Sequence, residues 1–178
     1  MAIQKIHHVA YRCKDAKETV LWYQKYLDMD FVLAIAENEV PSTKEPDPYM
    51  HIFLNAGSGN ILAFFELPNS PEMGRDVNTP EWCQHIAFQV GSMEELNSIK
   101  EKLEADNIEV VGPTDHTLFQ SIYFFDPNGH RLELAANTDT PDMHKRLDDV
   151  KWDMLEEWSK TKRAPEHAKW MHEKEFNG

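Results

Sequence analysis

The sequence is poor in the residues on which several protein classes depend. Its two cysteines, Cys13 and Cys83, are too few for a disulfide scaffold and suit a reducing cytoplasm. Its 18 Lys and Arg stand against 31 Asp and Glu, a net charge of −13, so we expect no nucleic-acid partner. No apolar run approaches the roughly 20 residues that span a bilayer, and no apolar secretory segment opens the chain. We therefore expect a cytoplasmic globular protein without a membrane partner.

What the sequence does contain is an internal repeat, carried most clearly by residues 6–12 and 83–89. The two runs share three positions, which are His8/His85, Ala10/Ala87 and Tyr11/Phe88. Both runs lead into helix starts with capping-box spacing, Asp15 to Glu18 and Ser92 to Glu95. Strand-like runs follow at 31–35, 50–54 and 61–67 in the first copy, and at 108–111, 120–125 and 131–135 in the second. The pattern predicts an α+β fold of two βαβββ modules.

The last part of the chain, residues 140–178, lies outside this repeat. An apolar residue recurs there every three or four positions, at Met143, Leu147, Val150, Met154 and Trp158. This spacing predicts one apolar stripe on a helix, followed after Pro165 by a second short helix carrying Trp170 and Phe176. We expect the stripe to pack on its own domain or on a sister subunit, and a lid over an active site is the alternative.

Strand periodicity places three ionisable side chains beside small ones. Because residues i and i+2 of a strand share a face, His8 lies with Ala10, His85 with Ala87, and Glu133 with Ala135. Two imidazoles and a carboxylate are what a divalent metal needs, and they match the facial triad of non-haem iron(II) oxygenases. Zn, Mn, Ni and Co accept similar ligands, and a single histidine on such a strand is often only a hydrogen-bonded structural residue.

These residues, together with the run from Asp126 to Glu133 (DPNGHRLE), resemble the vicinal oxygen chelate superfamily, which includes glyoxalase I, extradiol dioxygenases and bleomycin-resistance proteins. The resemblance covers roughly residues 3–137. It implies paired modules, 3–68 and 82–137, that form an open mixed β-barrel around a metal within a domain of residues 1–139. It also implies His8, His85 and Glu133 as the metal ligands, a small-molecule substrate and a homodimer. Residues 140–178, the helical extension predicted from the apolar spacing, lie outside the resemblance.

A narrower resemblance begins at Thr114. Thr-Asp-His116 is followed by five residues, Ile-Tyr123, two residues, Asp-Pro-Asn-Gly129, three residues and Glu133, which looks like the ring-cleavage signature of extradiol dioxygenases. It implies that His116 and Tyr123 line a pocket for substrate and oxygen while Glu133 binds iron(II). The resemblance thus favours a catechol-type aromatic substrate and Fe(II) as the metal.

Two departures from that pattern keep other functions open. Ring-cleaving relatives usually place an acid/base histidine in the hairpin where this chain has Asn60, and His51 on a neighbouring strand is a candidate substitute. Glu66 occupies in the first copy the place that Glu133 occupies in the second, where glyoxalase I uses a carboxylate as fourth ligand and catalytic base. Glyoxalase-like or epimerase-like chemistry is therefore one alternative, and a metal-free binding protein of the resistance type is another.

Overall fold

The computed structural model describes residues 5–172 and confirms the α+β fold with paired βαβββ modules and a helical tail. The first module contains β1 (Val9–Cys13), α1 (Ala16–Leu27), β2 (Asp30–Glu39), β3 (Pro46–Asn55) and β4 (Ile61–Glu66). The second contains β5 (Ile86–Val90), α2 (Met93–Ala105), β6 (Val111–Asp115), β7 (Phe119–Phe125) and β8 (Arg131–Asn137). The tail contains α3 (Pro141–Thr161) and a 3-10 helix (Glu166–His172).

Each module forms a four-stranded mixed sheet with the same strand order. The orders are β1-β4-β3-β2 and β5-β8-β7-β6, so the first and last strands of each module pair in parallel at one edge of the sheet. The remaining pairs are antiparallel. The two sheets are not hydrogen-bonded to each other within the described chain, so one chain by itself does not close the open barrel that the resemblance implies.

Both module helices begin where the capping-box spacing predicts. The side chain of Asp15 accepts a hydrogen bond from the amide of Glu18, and the side chain of Ser92 accepts one from the amide of Glu95. These acceptors satisfy backbone amides that have no partner inside the helix. Both helix starts are therefore stabilised by side chains within three residues of the first turn.

One hydrophobic core joins the helix-covered faces of the two sheets. It includes residues of both modules, namely Tyr23, Leu54, Phe64, Leu96, Phe124 and Leu132. The turn at Asp126 ties the modules together, because the hydroxyl of Tyr23 donates to the carboxylate of Asp126 (3.0 Å) and the amide of Lys14 donates to the side chain of Asn128 (2.8 Å). The opposite faces of the sheets, which carry the candidate ligands, therefore turn away from this core.

The outer strand of the first sheet is exposed along its whole length. Leu33 and Ile35 of β2 pair with Phe53 and His51 of β3, so all four belong to the face turned away from the core. Leu33 is 46% exposed and Ile35 is 43% exposed. Exposed aliphatic side chains on a free strand edge mark a surface that another chain can cover.

The tail forms the predicted helix, but its apolar stripe is only partly covered. Met143 is buried at the start of α3, whereas Trp158 near its end is exposed. The helix packs against the 3-10 helix, where the Arg146 guanidinium lies 3.9 Å from the ring centre of Trp170. Phe176, predicted to belong to the second helix, lies outside the described residues. Among residues 5–172, no helix has the length and apolar character that a bilayer crossing needs.

Candidate metal centre

An imidazole and a carboxylate meet on the outer face of the second sheet. Ala87 of β5 is paired with Glu133 of β8 in the parallel ladder, and His85 precedes Ala87 by two residues, so His85 and Glu133 share this face. His85 Nε2 lies 2.8 Å from Glu133 Oε2. Glu133 is only 4% exposed, so its carboxylate is held at a fixed place. The pair offers one nitrogen and one oxygen donor to a divalent cation.

The second oxygen of this carboxylate is held by a residue that the sequence interpretation missed. The hydroxyl of Ser121 on β7 donates to Glu133 Oε1 at 2.5 Å, and Ser121 is itself fully buried. Such an outer hydrogen bond orients a ligand carboxylate and raises metal affinity. Strand parity could have found Ser121, since it lies two residues before Tyr123 on the same face.

Gly112 lets the neighbouring strand approach Ser121 closely. It has a φ of +108°, and a Cβ placed on it would lie 2.4 Å from the carbonyl oxygen of Ser121. A side chain at this position would both strain the backbone and displace β7. The glycine thus helps to fix the strand that carries the serine donor.

His116 and Tyr123 also come together beside this pair. His116 Nε2 lies 2.8 Å from the hydroxyl of Tyr123, and Tyr123 is the antiparallel partner of Glu133. The ring centres of His85 and Tyr123 are 5.9 Å apart. Burial, and after it the charge of Glu133, raises the pKa of Tyr123 above its usual value. Four of the residues singled out in the sequence thus form one cluster around a neutral phenol.

His8, the remaining predicted ligand, lies on the first sheet. It immediately precedes β1, is exposed, and its Nδ1 is 2.8 Å from Nδ1 of His7. Its ring neighbours on the same face are His51 and Phe53, with centre distances of 6.1 and 5.9 Å. Among the described residues, no three His, Cys, Asp or Glu side chains come together as a metal set. Within one chain, His8 therefore does not join the pair on the second sheet.

His51 is a buried imidazole on that same face of the first sheet. It is 8% exposed and stacks on Phe65 with ring centres 3.6 Å apart. Its Nε2 has no hydrogen-bond partner among the described residues. Burial lowers the pKa of His51, and the nearby His8 lowers it further. His51 is thus a neutral, buried imidazole whose Nε2 has no partner within the described chain.

Glu66 lies elsewhere, and the strand registers explain why. Ala10 of the first module pairs with Ala63, whereas the equivalent Ala87 pairs with Glu133, so the position that corresponds to Glu133 is Ala63. Glu66 is three residues further along and faces the helix side, where its Oε2 accepts a hydrogen bond from the amide of Ala16 at 2.6 Å. The correspondence between Glu66 and Glu133 that was drawn from the sequence is therefore wrong, and the structure does not bring Glu66 to the cluster.

The hairpin before β4 carries Asn60, as the sequence interpretation noted. Its side-chain amide donates to the carbonyl oxygen of Gly57 at 3.1 Å, and Asn60 is exposed. This hydrogen bond stabilises the turn. An amide has no accessible pKa near neutrality, so Asn60 cannot transfer protons as a histidine would.

Comparison with known proteins agrees with this fold. A family model described as the Glyoxalase/Bleomycin resistance protein/Dioxygenase superfamily matches residues 5–134. A Bacillus subtilis (strain 168) protein named "Putative ring-cleaving dioxygenase MhqA" is 28% identical over 140 residues, which cover 77% of this chain and 42% of that protein. The chain therefore spans less than half the length of this curated relative.

Solved structures share the architecture at lower sequence identity. A glyoxylase/bleomycin resistance protein/dioxygenase domain from Frankia sp. EAN1pec superimposes with a TM-score of 0.60 at 18% identity, covering 76% of this chain and 99% of that one. A mutant of the fosfomycin resistance protein FosX from Listeria monocytogenes, complexed with Mn(II) and a dihydroxypropylphosphonic acid, gives 0.53 at 20% identity, covering 80% and 98%. At these identities the likeness concerns the fold.

Proposed function

This chain belongs to the glyoxalase/bleomycin resistance protein/dioxygenase superfamily, and we propose that it is a metal-dependent enzyme that cleaves the ring of a catechol-type aromatic in the extradiol manner. The observation that carries the proposal is the cluster of His85, Glu133, Tyr123 and His116 on one face of the second sheet. The 28% identical relative named as a ring-cleaving dioxygenase supports the same reaction class.

The proposed metal ligands are His85, Glu133 and His8, with His8 supplied by a second copy of the chain. The pair on the second sheet fits a divalent cation, because both donors point at the same place and Ser121 fixes the carboxylate. His8 is exposed on a face that its own chain leaves uncovered, the face that also carries the exposed Leu33 and Ile35 of the outer strand. A homodimer with two-fold symmetry would bring each His8 to the pair of the other copy and close the barrel.

Iron(II) is the metal we propose, because a centre with open positions can bind both oxygens of a catechol and react with O2. The protein residues then position the aromatic ring and manage its protons. Tyr123 keeps its proton at neutral pH and can donate a hydrogen bond to a developing anion, while His116 Nε2, 2.8 Å from the phenol oxygen, can take up or return that proton.

The test is to load the protein with iron(II) under nitrogen, add air-saturated buffer and follow O2 uptake and yellow ring-cleavage product with a panel of catechols. We expect turnover by the wild type and a loss of at least about 100-fold in Tyr123→Phe and His116→Gln, the usual scale for a proton-transfer group. Tyr26→Phe, which removes a phenol hydroxyl that donates to Asp106 on the helix side, is the matched control. No turnover of any catechol by protein that holds its iron would refute the proposal.

A second candidate function is lyase or isomerase chemistry of the glyoxalase or epimerase type. The observation that favours it is Asn60, which occupies the hairpin position where ring-cleaving relatives carry an acid/base histidine. This function needs the metal but no O2. Activity under strict nitrogen with a non-aromatic substrate would therefore separate it from ring cleavage. Metal-free protein that binds ligand tightly would instead indicate the binding-protein alternative.

A further inference from the structure

Arg131 is the first residue of β8, and it lies next to the proposed metal pair. It precedes Glu133 by two residues and so shares its face. The first ladder pair of β5 and β8 is Ile86 with Leu132, so His85 lies beside Arg131 one step earlier along the two strands. The guanidinium is 4.5 Å from the ring centre of Tyr123. Arg131 therefore borders the same space as both proposed ligands on this sheet.

The charge of Arg131 has no counter-ion among the described residues. Its Nε is buried without a hydrogen-bond partner, and no carboxylate of the described chain lies within ion-pair distance. The stack on Tyr123 holds the guanidinium plane in place without using its donors. Keeping an arginine with unused donors partly buried costs free energy unless a ligand accepts its hydrogen bonds.

Two other arginines near this site show what a structural role looks like here. Arg75 pairs with Glu81 at 3.0 Å, and Arg12 donates to the carbonyl oxygens of Ser70 and Pro71. Both hold the segment that links the modules. Arg131 makes neither kind of contact, so its position is not explained by holding the fold together.

A cavity of about 690 Å³ opens on this arginine and on His85, a volume suited to a small molecule. Of the acidic side chains on its wall, Glu81 pairs with Arg75, and Asp76 is held by hydrogen bonds from Asn78 and Thr79. Arg131 therefore places a positive charge on the cavity wall without a described carboxylate within ion-pair distance.

We propose that Arg131 is an anion-binding residue and that the substrate carries an acidic group, a carboxylate or phosphonate, beside the moiety that meets the metal. This assignment rests on the proposed function for the group that meets the metal, a catechol. It adds that the substrate also carries an acidic group. A guanidinium binds two oxygens of such a group at once, which fixes the orientation of the ligand as well as holding it.

The test is calorimetric binding under nitrogen to the iron(II)-loaded protein, with three probes: a dihydroxybenzoate with adjacent hydroxyls, its methyl ester and inorganic phosphate. We expect the wild type to bind the acid at least about tenfold more tightly than the ester, the scale of one hydrogen-bonded charge pair. Arg131→Gln should bring that ratio close to one, and Arg131→Lys should keep part of it. Arg163→Gln, which removes an equal charge from an exposed residue of the tail that does not line the cavity, should leave the ratio unchanged.

The outcomes separate this inference from the proposed reaction. If both diols bind and the ratio is one in the wild type or survives in Arg131→Gln, the inference is overturned while catechol binding stands. If neither diol binds but phosphate binds to the wild type and not to Arg131→Gln, the inference is supported and the catechol proposal fails. If the wild type binds no anion, or binds phosphate as well after the substitution, the inference is overturned.

Discussion

If the metal site is shared between two copies of the chain, two inactive variants should restore each other. His8→Ala keeps an intact His85–Glu133 pair, and His85→Ala keeps an intact His8. Each variant alone lacks one of three ligands, so we expect its metal affinity to fall by more than the roughly 10–100-fold that even an outer hydrogen-bond partner is worth. The reason lies in the structure, where His8 is on one sheet and the other two ligands are on the second sheet.

The size of the rescue follows from symmetry. Free exchange of subunits makes about half of the dimers mixed, and each mixed dimer contains one site with all three ligands and one site with neither histidine. About one quarter of all sites should therefore regain metal and activity. The assay is metal content and O2 uptake after the variants are mixed, exchanged and passed over a desalting column, with native mass spectrometry to count mixed dimers.

The matched control mixes His85→Ala with Glu133→Gln. Both ligands come from the same copy, so no arrangement of these two variants assembles a complete site, and no rescue is expected. Rescue in this control, or none in the mixture of His8→Ala with His85→Ala after exchange is complete, would refute a shared site.

Three further substitutions test the support of the site. Ser121→Ala removes the donor to Glu133 and should lower metal affinity roughly 10–100-fold in a chelator competition, and unchanged affinity would count against its role. Glu66→Gln should cost about 1 kcal/mol of unfolding free energy, because a charged acceptor for the Ala16 amide is lost, while turnover stays at the wild-type level. Loss of turnover without a change in stability would contradict this and indicate a catalytic role for Glu66. Gly112→Ala should cost at least about 2 kcal/mol in urea unfolding, since its Cβ would lie 2.4 Å from a carbonyl oxygen, and an unmoved midpoint would contradict this.

Local signals were enough to predict the modules. The repeated histidine–alanine runs and the capping residues Asp15 and Ser92 act within a few positions of the chain, and the structure has its strands and helix starts there. β6 was placed too early, at 108–111 rather than Val111–Asp115, because Gly112 and Pro113 are typical of a loop. An edge strand tolerates proline, since one side of it makes no ladder hydrogen bonds.

The candidate site needed information that no local pattern contains. The sequence interpretation put Glu66 in the place of Glu133, but the equivalent ladders match Glu133 with Ala63, and an offset of three residues moves the side chain of Glu66 to the other face. Strand parity places Ser121 on the face of Tyr123, but the sequence does not show that its hydroxyl donates to Glu133. The sequence does not show that Arg131 lacks an ion-pair partner, because that depends on where the carboxylates of other segments lie in the fold.

Because the core lies on one face of each sheet, successive residues of a strand alternate between the core and the opposite face. In β8, Leu132 and Leu134 enter the core, while Arg131 and Glu133 lie on the opposite face, and Arg131 also lines the cavity. Alternate residues of this short strand therefore have different roles: one set packs in the core, and the other set serves the site. New reactions can evolve here by replacing every second residue, without loss of the hydrophobic contacts. Deleting a single residue in β8 would turn the side chains that follow it to the other face of the sheet, which would disrupt both the core and the site.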